Sequence, residues 1–242
     1  MIPIQELLFT IDTKVNSLAN LKGQYIPDET KIEVLNRSQI KLVLKKLDPN
    51  NNYQLGMGAF NKRYQDLQIL QVPYEKLTMT KVTGDVLNSY SASITSLSES
   101  MIVPVNAYVL ADKGNCKGRI LDVIEIVKQG DLRLKLISPH TSPNFVYQET
   151  LCMISSDIFY VYGDSSNSFT IKELYMSYLR YPVNMNVVGY THLDNSASTN
   201  VNCELDGYLM NELVDLVVEE IADATGNQNQ SQLSRARTKE NE

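Results

Sequence analysis

Between Ile4 and Leu18 the apolar residues fall into one stripe at helical spacing: Ile4, Leu7, Leu8, Ile11, Val15 and Leu18. Pro3 suits a helix start and Gly23 follows the expected end, so a helix is predicted over 3–20. A second helix is predicted over 28–47, carrying Ile32, Leu35, Ile40, Val43, Leu44 and Leu47. Two helices joined this closely can form an antiparallel helical hairpin. Residues 48–58, DPNNNYQLGMG, are turn-rich. A shorter helix follows, with Phe60, Tyr64, Leu67 and Leu70 on one face. The Ser- and Thr-rich segment 71–100 reads as loop with one helical turn.

From Met101 the period changes. The runs 102–110 (IVPVNAYVL), 119–128 (RILDVIEIVK) and 131–137 (DLRLKLI) are strand-like by β-branched content and alternation. Gln129-Gly130 is placed to turn the last two into a hairpin. Further strands fit 151–154, 157–162 and 169–181, with GDSSNS at 163–168 closing a second hairpin. About six antiparallel strands suggest a β-sandwich or partial barrel. Residues 182–206 form a polar connection longer than compact domains usually contain, which points to function. A final helix is expected over 207–225, with Asp206 as N-cap and Gly226 as its stop.

The predicted fold class is α+β: an N-terminal helical hairpin, an antiparallel β region and a C-terminal helix with an extended tail. The layout is a helical region at 1–100, a β region at 101–182, a loop at 183–206, a helix at 207–225 and a polar arm at 226–242. Together they make one structural domain with extensions.

Hydrophobic content is 43% and charged content 21%, ordinary for a globular chain. A net charge of −6 excludes a generally basic, polyanion-seeking protein. No apolar run reaches membrane-spanning length, and MIPIQELLF carries Glu6 where a secretory signal would be basic. Cys116, Cys152 and Cys203 form no short motif, which favours free thiols in a reducing compartment.

Little here suggests chemistry. His140 and His192 lie in loops, without the HxxxH or CxxC spacing of a metal site. LGMGAFNKR, 55–63, begins like a phosphate loop, but Asn61 stands at the third glycine and no strand precedes it. Asn36-Arg37-Ser38 and Asn229-Gln230-Ser231 match the glycosylation pattern without a secretory context. No catalytic residue, cofactor or metal is expected. Tyrosine is abundant, with 14 copies and no tryptophan, and tyrosine suits both sheet packing and protein interfaces.

The last helix carries Glu212, Asp215, Glu219, Glu220 and Asp223 on one face, opposite Met210, Leu213, Val214, Val217 and Ile221. Such a stripe is either solvated or an interface for a basic partner. The segment 226–242 offers one: Leu233 is its sole sizeable apolar side chain, beside Arg235, Arg237 and Lys239. The expected subunit interface therefore pairs Leu233, Arg235, Arg237 and Lys239 of one copy with Glu212, Asp215, Glu219 and Asp223 of the next. A head-to-tail contact of this kind closes into a ring when the rotation permits.

The opening IPIQELLFTIDTKVNSLANLKGQYIP, then YVLADKGNC, DIFYVYGD with FTIKELYMSYLRYP, and the close CELDGYLMNELVDLVVEEIADATGNQ together touch most of the chain. In this order they resemble virion neck proteins of crAss-like tailed phages, the rings stacked between portal and tail. The resemblance implies a structural protein in a homo-oligomeric ring of about twelve copies, matching a portal. It implies contacts with the portal and adjacent neck or tail rings, and a channel passing phage DNA without sequence-specific binding. It implies no enzymatic activity, no cofactor, no membrane, and assembly in the host cytoplasm into the virion. The alternative is a tail-associated receptor- or glycan-binding module, with Tyr147, Tyr190 and His192 as the exposed aromatic candidates.

Overall fold

The computed structural model describes residues 1–18, 26–47, 66–84, 87–189 and 197–224. It is α+β and divides into two compact units. Unit 1 is built from described residues of 1–70 and 182–242, and unit 2 from Gln71–Tyr181. The start of the helix with Phe60 and Tyr64 and the whole 55–63 loop lie outside the described residues, as do Tyr190, His192 and the arm.

Unit 1 holds α1 (Ile4–Leu18), α2 (Asp28–Leu47) and a later helix, Met210–Ala224, entered through a short 3-10 turn at Gly207–Leu209. Ile4, Leu7, Leu8, Ile11 and Val15 of the predicted α1 stripe are buried. On α2, Ile32, Leu35, Leu42 and Val43 are buried while Leu44 faces out. Both helices pack chiefly on the Met210–Ala224 helix, and an ion pair between Lys31 and Asp12 at 2.7 Å links them to each other. Asp206 takes the predicted N-cap position, but its side chain makes no cap hydrogen bond.

The described parts of the 182–206 connection dock on unit 1 itself. Asn36 donates to Met185 O at 3.1 Å and accepts from Met185 N–H at 2.7 Å. Ile2 and Cys203 exchange backbone hydrogen bonds, and Asn202 Oδ1 caps α1 by accepting from Ile4 N–H at 3.1 Å. Met185, Cys203 and Leu205 are buried anchors. These residues are held by contacts within unit 1.

Unit 2 contains β1 (Gln71–Thr78), β2 (Thr80–Lys81), β3 (Ser89–Ser93), β4 (Met101–Lys113) and β5 (Cys116–Ile126). A short helix α3 (Leu132–Ile137) follows, then β6 (Glu149–Ser155), β7 (Ile158–Tyr162) and β8 (Thr170–Arg180). The Met210–Ala224 helix of unit 1 is α4. The strands make one eight-stranded sheet in the order β1-β8-β4-β5-β6-β7-β3-β2. Its outermost members, β1 and β2, are successive stretches of one chain segment broken only at Met79. Met79 N–H bonds to Lys172 O on β8, and Val82 N–H to Ser89 O on β3. The sheet therefore curls on itself as a partial barrel, and its inner face gathers Val109, Leu121, Phe159, Val161, Leu174 and Tyr178 into one core.

Several expectations are corrected. The sheet is mixed, because β5 and β6 run parallel. A parallel pair needs a crossover, and the chain between Ile126 and Glu149 supplies it where a hairpin was expected. DLRLKLI is helix rather than strand: Leu132 and Leu136 pack on Val127, Leu151, Met153 and Tyr162, while Leu134 and Ile137 are 73% and 69% exposed. The burial follows a period of four, and Leu, Arg and Lys are good helix formers. The hairpin in this region is β4–β5, turning at Gly114 with φ +55°.

GDSSNS does turn, with Asp164 accepting from Ser168 N–H at 2.8 Å, but it joins β7 to β8, which are not neighbours. A Cβ added at Gly163 would lie 2.5 Å from Asn88 Nδ2, so the Asn88 side chain would have to move to admit one. The 71–100 segment read as loop carries β1, β2 and β3 besides its one helical turn at Ile94–Ser96. Its Ser- and Thr-rich strands become strands through pairing with apolar neighbours, which is not a local signal.

A carboxylate ties β1 to the rest of the barrel. Glu75 accepts from Tyr178 Oη at 2.7 Å, from Ser98 N–H at 2.7 Å and from Ser98 Oγ at 2.9 Å. Burial pushes its pKa up, but these hydrogen bonds outweigh burial and hold it below the usual carboxylate value. A depressed folded-state pKa stabilises above the unfolded pKa and is lost as pH falls. Thermal melting of the wild type should therefore lose stability below about pH 4.3, and Glu75→Gln should flatten that acid limb. An unchanged limb would remove this role from Glu75. For α3, Leu132→Ala should cost about 2 kcal/mol in urea unfolding and Leu134→Ala less than about 0.5 kcal/mol. Equal costs would speak for a strand.

Candidate interaction site

In the β4–β5 hairpin, pairing runs from the turn only as far as Tyr108 opposite Asp122. Beyond that point the two strands part. β4 continues from Met101 to Ala107 with β8 on one edge, and β5 continues from Val123 to Ile126 with β6 on one edge. Neither stretch has a strand on its other edge among the described residues. Between them opens a cavity of about 170 Å³. Residues 104–107 and 123–126 wall it, and Phe159, Leu174 and Met176 of the core lie beneath. Asn106 Oδ1 accepts from Ala107 N–H at 2.8 Å, and Pro104 has no N–H to offer. One edge of the seam is thus partly blunted, as exposed strand edges commonly are.

The outer face beside the seam is built by sheet register. Lys76, Tyr175, Tyr108, Asp122 and Glu149 lie in one row across β1, β8, β4, β5 and β6. Tyr108 and Tyr175 stack with centroids 5.0 Å apart at 7°, and Tyr74 tilts against Tyr108 at 5.2 Å. Tyr108 thus has two aromatic neighbours, one of them stacked on its face. Tyr175 Oη donates to Glu173 at 2.9 Å, and Lys76 pairs with Glu173 at 2.5 Å. The Lys76 ammonium, foremost, then the Tyr175 hydroxyl lower the Glu173 pKa. On β5, Ile120, Ile124 and Ile126 are exposed, and the following crossover exposes Val146 and Tyr147. Sequence reading missed this row because its members come from five strands, and only register brings them together.

The acidic stripe of α4, read above as solvated or as an interface for a basic partner, is partly buried. Glu212 and Asp215 are buried at 4% and 2% exposure. Lys46 Nζ sits 2.8 Å from Glu212 Oε2 and 3.8 Å from Asp66 Oδ2. Tyr208 donates to Asp66 Oδ1 at 2.6 Å, and burial together with that carboxylate pushes the phenol pKa well up. Lys14 pairs with Asp215 at 2.7 Å, while Lys41 and Arg37 approach Glu220 at 3.2 and 3.4 Å. Cations of α1 and α2 thus answer the stripe from within unit 1.

Of the other interface candidates, Glu219 is half-buried and Asp223 exposed, while Leu233, Arg235, Arg237 and Lys239 lie outside the described residues. His140 and Tyr147 are exposed. The three cysteines are unpaired, and burial pushes the Cys152 thiol up to about 12. Among the described residues no group of His, Cys, Asp and Glu is arranged to hold a metal. No helix among them is long and apolar enough to cross a membrane.

No protein-family model matches the chain, and a search of curated proteins returns no match.

The buried Lys46–Glu212 pair is the sensitive point of unit 1. Removing one partner strands a buried charge, so Lys46→Met should cost about 3 kcal/mol or more in urea unfolding. Lys46→Met combined with Glu212→Gln should recover part of that loss. Simple additivity of the two substitutions would show the pair to be uncoupled.

Proposed function

We propose that this protein is a non-catalytic ring component of the head–tail connector of a crAss-like tailed phage. It joins portal to tail around a channel that passes DNA. The observation that carries this reading is the seam of unit 2, with two free strand edges flanked by exposed Ile124 and Ile126. Free edges and exposed apolar side chains are features of a surface that meets another protein. The segment resemblance supplies the virion setting, and the net charge of −6 suits a lumen through which DNA slides without adhering. The tyrosine row does not favour the glycan-binding alternative, because its rings stack on one another.

The native mass of the full chain tests the reading. A closed assembly of about 300 kDa is expected, from 27.3-kDa subunits in a ring of about twelve. A chain that remains a 27.3-kDa monomer at every concentration, and also fails to assemble on a portal ring, would overturn it.

A further inference from the structure

We propose that the seam of unit 2 accepts an added β-strand, and that the strand is residues 232–239 of a neighbouring copy. The inference rests on the ring reading for the presence of that second copy. The free edge of β5 from Val123 to Ile126 is the better one to extend, because Pro104 removes a donor from the opposite wall. Beside that edge, Asp122 and Glu149 stand directly opposite each other on adjacent strands. Like charges so placed repel. Neither carboxylate has an ion-pair partner among the described residues, and Arg119 of the same strand instead donates to Val146 O and lies over the Phe145 ring. The outer face is thus short of positive charge at the point where the strands part.

Residues 232–239, QLSRARTK, have the complementary pattern. In an extended strand Leu233, Arg235, Arg237 and Lys239 share one side, and Ser234, Ala236 and Thr238 the other. With the small residues turned to the cavity of about 170 Å³, the opposite side brings Leu233 to Ile124 and Ile126. It also brings Arg235 and Arg237 to Asp122 and Glu149. Main-chain hydrogen bonds to β5 hold the strand, and the charges set its register. The buried ion pairs of α4 explain why the seam is a better receptor for the basic segment than the α4 stripe, since Glu212 and Asp215 already hold lysines.

Charge exchange between full-length variants tests this. One variant is Arg235→Glu with Arg237→Glu, the other Asp122→Lys with Glu149→Lys. Each alone should assemble roughly tenfold more weakly than wild type at low salt. An equimolar mixture should regain assembly, because each tail then meets a seam of opposite charge. Thermal melting checks that every variant is folded. If Glu149→Lys disturbs the fold, Asp122→Asn with Glu149→Gln replaces it and should weaken assembly by a smaller factor.

Wild type and both variants forming equal rings would overturn the seam and leave the ring reading standing. A mixture that stays dissociated, while one chain carrying all four exchanges assembles, would place the strand in its own copy's seam and overturn the neighbour. A wild type that forms no ring, either alone or on a portal ring, would overturn both readings.

Discussion

Backbone hydrogen bonding governs unit 2. A curled sheet must pair its edges or leave them in water. Here the segment 71–82 bonds β8 through Met79 and β3 beyond it, so one stretch of chain serves as both ends of the sheet. The inner face can then be filled by Val109, Leu121, Val161 and Leu174, each fully buried. The parallel β5–β6 pair, the crossover with α3 and the bridging turn at 163–168 all follow from the strand order this closure imposes.

The same constraint makes the seam informative. Where β4 and β5 part, backbone edges and apolar side chains remain open in the middle of the strand order. Unit 1 behaves in the opposite way. Its acidic helix face is neutralised by Lys14, Arg37, Lys41 and Lys46, and the Lys46–Glu212 pair is buried on both sides. Buried ion pairs of this kind gain little net stability but penalise any arrangement that separates them. They fix how α1, α2 and α4 pack and leave less of that face for a partner.

The helices were legible in the sequence because their signal is local. Ile4, Leu7, Leu8, Ile11 and Val15 recur with the period of the helix they form, and Leu213, Val214, Val217 and Ile221 do the same. The charged stripe on α4 was equally visible, but its burial was not. Nothing near Glu212 in the chain announces Lys46, which arrives from another helix. LRLKLI showed how a short run misleads: alternating leucines fit a strand, yet only Leu132 and Leu136 find a core.

By itself, the sequence determined the α+β class, three main helices, the change to strand-like periodicity after Met101, and the strong turn at 163–168. All of these rest on contacts or dihedral preferences within a few residues. Strand order, the switch of partner at Met79, the parallel pair, the tyrosine row and the open seam were decided only by tertiary structure. They depend on hydrogen bonds between segments far apart in the chain, and many pairings are compatible with the same local pattern. The like-charged pair of Asp122 and Glu149 belongs to this second group, since a register between β5 and β6 is what sets the two carboxylates side by side.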